Sequence, residues 1–163
     1  MMNVTAPIRT GRAFHLVDIE NLLGGPTDDV DRLRAAWQCY KPLVRPGDAV
    51  VIGGSGFTFA HAAFVLPRSV RWVMRRGGPD AADLALLEDA YDATHVARRY
   101  EWLVMGSADA IFAGAAVEAK RRGMRVWSVR GRGLGTAIEC VANVRSHLHV
   151  PAPVGQRRYA LAA

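Results

Sequence analysis

Five short apolar runs, each followed by a segment with helical signals, constrain this chain more than any other feature. The runs are 14–17, 49–52, 70–74, 102–105 and 125–129. Between and after them, residues spaced three or four apart and breaks at Pro and Gly predict helices over about 27–41, 58–66, 80–97, 110–122 and 135–147. In the first of these, Val30, Leu33, Trp37 and Tyr40 form the expected buried face, and Leu84, Leu87 and Tyr91 form that of the third. Such alternation makes an α/β fold with a parallel sheet. Right-handed crossovers then bring every strand-to-helix junction to one edge. A ligand crevice belongs at that edge, where the strand order reverses.

The chain has 163 residues, half of them hydrophobic, so one domain with a sizeable core is expected. Residues 1–12 and 151–163 read as tails around a domain spanning 13–150. No apolar run reaches about 18 residues, so a membrane partner is not expected. The N-terminus lacks the apolar core of a signal peptide. Cys39 and Cys140 fall inside expected helices and read as small core residues in a reducing, cytoplasmic setting. The net charge of +6, from 21 basic and 15 acidic residues, suits a polyanionic partner as well as a solvated basic surface.

The stretch Ala13–Gly25, AFHLVDIENLLGG, ends an apolar strand in Asp18-Ile19-Glu20-Asn21. Asp80 and Asp83 open the helix after the third strand, and Asp109 follows the fourth. All four acids stand at strand-to-helix junctions and share one edge. Each alone is a plausible helix cap or first-turn charge. Together they would set like charges side by side, a conflict that a hard divalent cation resolves.

Three motifs in order carry a resemblance. HLVDIENLLGG resembles the first motif of the NYN domains, a branch of the PIN-like nuclease superfamily, with Asp18 and Asn21 in the matching places. GGPDAADLALLEDA is similar to the second, matching Asp83 best, with Asp80 one turn earlier. MGSADAIF is similar to the third, matching Ser107, Asp109 and Phe112. The likeness covers about residues 13–148. It departs at Ala108, where the family usually has Gly, and at Ile111, where many members have another Asp.

The resemblance implies a three-layer α/β/α sandwich whose five-stranded parallel sheet has the order 3-2-1-4-5. It also implies metal-dependent hydrolysis of RNA phosphodiester bonds. Asp18, Asp83 and Asp109, with Asp80 beside them, would hold Mg²⁺ or Mn²⁺, and Asn21 would orient Asp18 or a bound water. Arg75, Arg76, Arg130 and Arg132 lie on the same edge and are candidates for RNA backbone contacts, with Ser107 near them. Lys120, Arg121 and Arg122 end a helix on the opposite edge.

Other readings stay open. With Ile111 in place of an acid, the domain is also readable as a catalytically degenerate module that binds RNA or protein. Asp18 and Glu20 loosely match a haloacid dehalogenase phosphatase, but Asn21-Leu22 stand where that family has Gly-Thr. His15 reads as a satisfied buried histidine. His147 and His149 have zinc-ligand spacing but no third ligand near them in sequence. The four tryptophans read as core, and a homodimer through the exposed helices is left open.

Overall fold

The structure is a computed structural model and describes residues 7–74, 81–132 and 137–151. Six strands form one sheet in the order β3-β2-β1-β4-β5-β6. They are β1 (Ala13–Asp18), β2 (Ala49–Gly53), β3 (Arg71–Val73), β4 (Trp102–Gly106), β5 (Arg125–Arg130) and β6 (Val144–His147). Every neighbouring pair is parallel. The α/β class and the order of the first five strands match expectation, and β6 is an addition.

Alternate residues of the central strands feed two separate cores, as period-two geometry requires. Val17, Val50, Ile52, Val104 and Trp127 face helices α1 (Ile19–Leu23), α2 (Val30–Tyr40) and α3 (Gly56–Ala62). Phe14, Leu16, Val51, Met105 and Val126 pack with Ala85 and Leu86, which follow α4 (Ala81–Leu84), and with residues of α5 (Ala93–Ala97), α6 (Ala113–Arg121) and α7 (Ala137–Val141). The sheet is thus the middle of three layers. Trp37, Trp102 and Trp127 are buried, as expected, and Trp72 packs partly buried against the first core.

Several expected helices are shorter or broken. The helix expected over 135–147 contracts to α7, and its second half becomes β6. Asn143 causes the switch: its N–H donates to Val126 O at 2.8 Å and its Oδ1 accepts the Val126 N–H at 2.9 Å. Val144 to His147 then pair along Trp127 to Arg130. The helix expected over 80–97 runs as α4, widens into a π turn over Ala85–Ala90, and restarts as α5. Asp92 forces the restart, because its carboxylate caps α5 by accepting the Thr94 and His95 N–H groups. The buried apolar residues there are Ala85, Leu86 and Val96, while Leu84, Leu87 and Tyr91 are partly buried. On α2, Leu33, Trp37 and Tyr40 are buried and Val30 only partly so. The stretch expected as a helix from Ala110 begins with a 3-10 turn before α6. Cys39 is half-buried and Cys140 is exposed, so Cys140 is not a core residue.

Arg9 lies in the segment expected as a tail, yet it is 5 % exposed and pairs with Asp48. Asp48 also accepts from the N–H groups of Ala13 and Arg45, and from His15 Nε2 at 3.3 Å. His15 Nδ1 in turn meets Tyr40 Oη at 3.0 Å. His15 is therefore a satisfied core histidine, as expected.

Candidate functional site

The parallel sheet puts the tips of β1 and β4 side by side at its C-terminal edge, and the strand order reverses between them. Asp18 is the last residue of β1 and the N-cap of α1. One of its oxygens, Oδ1, accepts the N–H groups of Glu20 and Asn21, both at 3.0 Å. In sequence this acid reads equally as a helix cap or as part of a site. The cap uses one oxygen and leaves Oδ2 for another partner.

The neighbouring carboxyl group is that of Asp83. Asp18 pairs in register with Gly53 of β2, and Gly53 has no side chain to keep α4 away. A Cβ there would sit 2.6 Å from Leu86 Cγ and 3.1 Å from Ala82 O. The close approach of α4 brings Asp83 into hydrogen-bond contact with Asp18. Both side chains are buried, at 6 % and 7 % exposure. Burial pushes the Asp18 carboxyl up to about 8, and the neighbouring Asp83 and Glu20 add to the rise against the Asn21 N–H, which opposes it. Burial and the adjacent carboxyl thus favour a protonated Asp18 over two neighbouring charges.

Asn21 joins the two strand tips. Its Oδ1 accepts the N–H of Ala108, just beyond β4, at 2.9 Å. Ala108 is buried, so its methyl group is accommodated in the turn. Ser107 is 1 % exposed, and its Oγ accepts the Asp109 N–H at 3.1 Å. It shapes the turn that carries Asp109. Asp109 is partly exposed, and its carboxylate accepts the Ile111 N–H at 3.0 Å. Ile111 itself is 37 % exposed beside it.

The structure thus brings Asp18, Asp83 and Asn21 together, with Asp109 on the adjoining turn. Among the described residues, no group of three or more His, Cys, Asp or Glu side chains is arranged to hold a metal ion. Asp80, Arg75 and Arg76 lie outside the described residues. No protein-family model and no curated protein matches the chain.

Arg130 ends β5 and lies 3.5 Å from Glu139. Arg132 is exposed, and its backbone N–H donates to Leu22 O of α1 at 3.3 Å. Gly131 between them allows this contact, because a Cβ there would meet Leu22 O at 2.4 Å. The β5 tip is thereby pinned to the same short helix that Asp18 caps. Lys120 and Arg121 end α6, away from this edge, as expected.

Glu20 is the functional-edge residue that pattern alone misplaces. Strand alternation predicts a side chain directed away from its neighbours, either at the surface or supporting the site from behind. Instead its Oε1 accepts the Ser55 N–H at 3.0 Å, the Ser55 hydroxyl at 2.5 Å and the Thr58 hydroxyl. Glu20 therefore ties α1 to the loop between β2 and α3. The usable signal is the helix cap: once Asp18 starts α1, Glu20 turns out of the strand plane.

A cavity of about 530 Å³ lies at the opposite edge, among Trp37, Lys41, Pro46, Val65 and Val70. It is remote from the acids and has no carboxylate pair.

Proposed function

We propose that this protein is an NYN-type, metal-dependent ribonuclease whose Asp18–Asp83 pair binds Mg²⁺ or Mn²⁺. One observation carries the reading: two carboxylates from separate parts of the chain are buried in contact at the strand-order reversal. Like-charged groups so placed destabilise the fold unless a proton or a cation lies between them. The donor set is all oxygen, which suits a hard divalent ion. Mg²⁺ typically takes one or two protein carboxylates and completes its shell with water and substrate phosphate. The two acids present fit that demand without a third.

A bound Mg²⁺ or Mn²⁺ supplies a water of lowered pKa and draws charge from the phosphoryl oxygens. The rest falls to the chain. Asp18 would hold the cation in its ionised form, and α1 keeps its carboxylate in place through two backbone N–H groups. Asn21 sets the separation of the β1 and β4 tips, and so the distance from Asp18 to Asp109. Ser107 fixes the turn from which Asp109 projects. Arg132 and Arg130 attract the RNA backbone.

A second reading has its own observation. Ile111 presents an apolar, exposed side chain where many NYN domains have an acid. This favours a module that binds RNA without cutting it. Incubating end-labelled single-stranded RNA with Mn²⁺, for the parent and Asp83→Asn, separates the two. Cleavage by the parent that the substitution removes supports the nuclease. Retention of intact RNA by both proteins supports the module.

A further inference from the structure

The sixth strand builds a cavity that the carboxylate site does not use. It measures about 320 Å³ and is lined by Arg130, Gly131, Arg132, His147, Leu148, His149 and Val150. Two guanidinium-bearing and two imidazole-bearing residues thus meet around one opening, and none of the lining residues is acidic. The register explains the convergence: Arg130 of β5 pairs with His147 of β6, so their side chains leave neighbouring strands at the same level. Leu148 N–H donates to Arg130 O at 2.6 Å and carries the chain back along the β5 tip.

The imidazole of His147 is oriented. Its Nε2 lies 2.9 Å from Gly131 O, and a carbonyl only accepts, so Nε2 carries the hydrogen and Nδ1 is turned elsewhere. Among the described residues, the Arg132 side chain makes one long hydrogen bond, Nη2 to Val150 O at 3.4 Å. That contact leaves most of its donors for a ligand. Glu139 lies 3.5 Å from Arg130, and a partly exposed pair of that length contributes little. The floor of the cavity is backbone of Gly131, pressed against Leu22 of α1. Leu22 stands one helical turn, about 6 Å, from Asp18 along α1.

We propose that this cavity is a phosphate subsite for the RNA strand, with Arg132 and His149 as its principal ligands and Arg130 and His147 supporting them. The inference rests on the reading of the C-terminal edge as an RNA site. It deepens that reading by naming where a phosphate neighbouring the carboxylate pair is held. Arginine presents a planar fork of donors that matches phosphate oxygens. A phosphate here can be an internal linkage or the 5′-terminal group of the strand.

Fluorescence anisotropy in EDTA tests this without calling on catalysis. The probe is a short oligouridylate labelled at its 3′ end, with or without a 5′-monophosphate. The protein carrying both Arg132→Gln and His149→Gln should bind about tenfold more weakly than the parent. Its dependence of log affinity on log salt should be shallower by about 0.7 for each phosphate it no longer neutralises. Arg132→Lys with His149 retained should recover part of both, which a folding defect would not allow. Arg121→Gln, on the opposite edge, should bind like the parent. Weakening with both probes places an internal phosphate in the cavity, and weakening confined to the 5′-phosphorylated probe places the strand end there. Parent-like affinity and salt slope in the double variant would overturn the subsite, as would a parent that binds neither probe. Binding without cleavage under Mn²⁺ would remove the nuclease and leave the subsite standing.

Discussion

Asn21 and Ala108 are joined across the point where the strand order reverses, with Asn21 Oδ1 accepting the Ala108 N–H at 2.9 Å. Ala108 is buried, so this N–H has no access to solvent to replace a missing partner. Asn21→Ala should cost about 1–3 kcal/mol in urea unfolding, the usual penalty for an orphaned buried donor. Asn21→Asp keeps the acceptor and should cost less. The same pair of variants should rank in the same order for RNA cleavage, because the bond sets the position of Asp109.

Asp18 and Asp83 share a buried contact that holds the Asp18 carboxyl near 8. An unfolded aspartic acid titrates near 3.9. The folded state therefore binds more protons between those limits, and stability contributed by this pair falls as pH rises from about 4 to about 8. Asp83→Asn removes the like charge. Without added metal, its melting temperature should exceed that of the parent by a few degrees at pH 8 and by little at pH 5. Equal differences at both pH values would argue against the shared proton.

A second titrating group acts in the opposite direction. Burial holds the His15 imidazole below its ordinary value, although Asp48 pulls it up. Burial raises the Asp48 carboxyl, but hydrogen bonds from His15, Arg9 and the backbone of Arg45 and Ala13 outweigh it and hold it well below the usual carboxylate range. Both folded values are depressed, so the unfolded chain binds more protons on the acid side. Their stabilisation is complete above about pH 6.5 for His15 and about pH 4 for Asp48, and is lost as pH falls. Arg9→Ala leaves Asp48 without its buried cation. It should destabilise by about 3 kcal/mol or more at pH 7 and by less at pH 3, read by denaturant melts.

Gly131 is the third point of control. Its missing side chain lets β5 touch the backbone of α1, where a Cβ would stand 2.5 Å from Leu22 Cα. Neither partner is a flexible side chain, so relief needs movement of a strand tip or of α1. Gly131→Ala should destabilise by about 1–3 kcal/mol and weaken both Mn²⁺ and RNA binding. Thermal melts and the anisotropy assay would show this together.

How much of this the sequence disclosed depended on how local each signal was. β1, β2, β4 and β5 were legible because they are buried on both faces and read as continuous apolar runs. β6 was not, since Val144-Arg145-Ser146-His147 has one apolar residue and alternates between half-buried and exposed at the sheet's edge. Its cause, the double bond between Asn143 and Val126, joins residues distant in sequence. The break at Asp92 was legible in principle, because an acid two residues before a threonine is a cap signal, but the surrounding apolar spacing outweighed it. At the candidate site the acids Asp18 and Asp83 could be placed on one edge from topology alone. Their contact could not, because it depends on the space left by Gly53. Ser107 reads as a substrate contact in sequence for a similar reason: only the folded turn shows its hydroxyl bound to the Asp109 N–H.

The central claim is that the Asp18–Asp83 pair exchanges its proton for a divalent cation. Calorimetric titration with Mn²⁺ at pH 7, repeated in two buffers of different ionisation enthalpy, tests this most directly. The account predicts uptake at one site with release of about one proton, affinity that rises as pH approaches 8, and loss of binding in Asp83→Asn. Absence of Mn²⁺ uptake by the parent at and above pH 8, or uptake unaltered by Asp83→Asn, would contradict it.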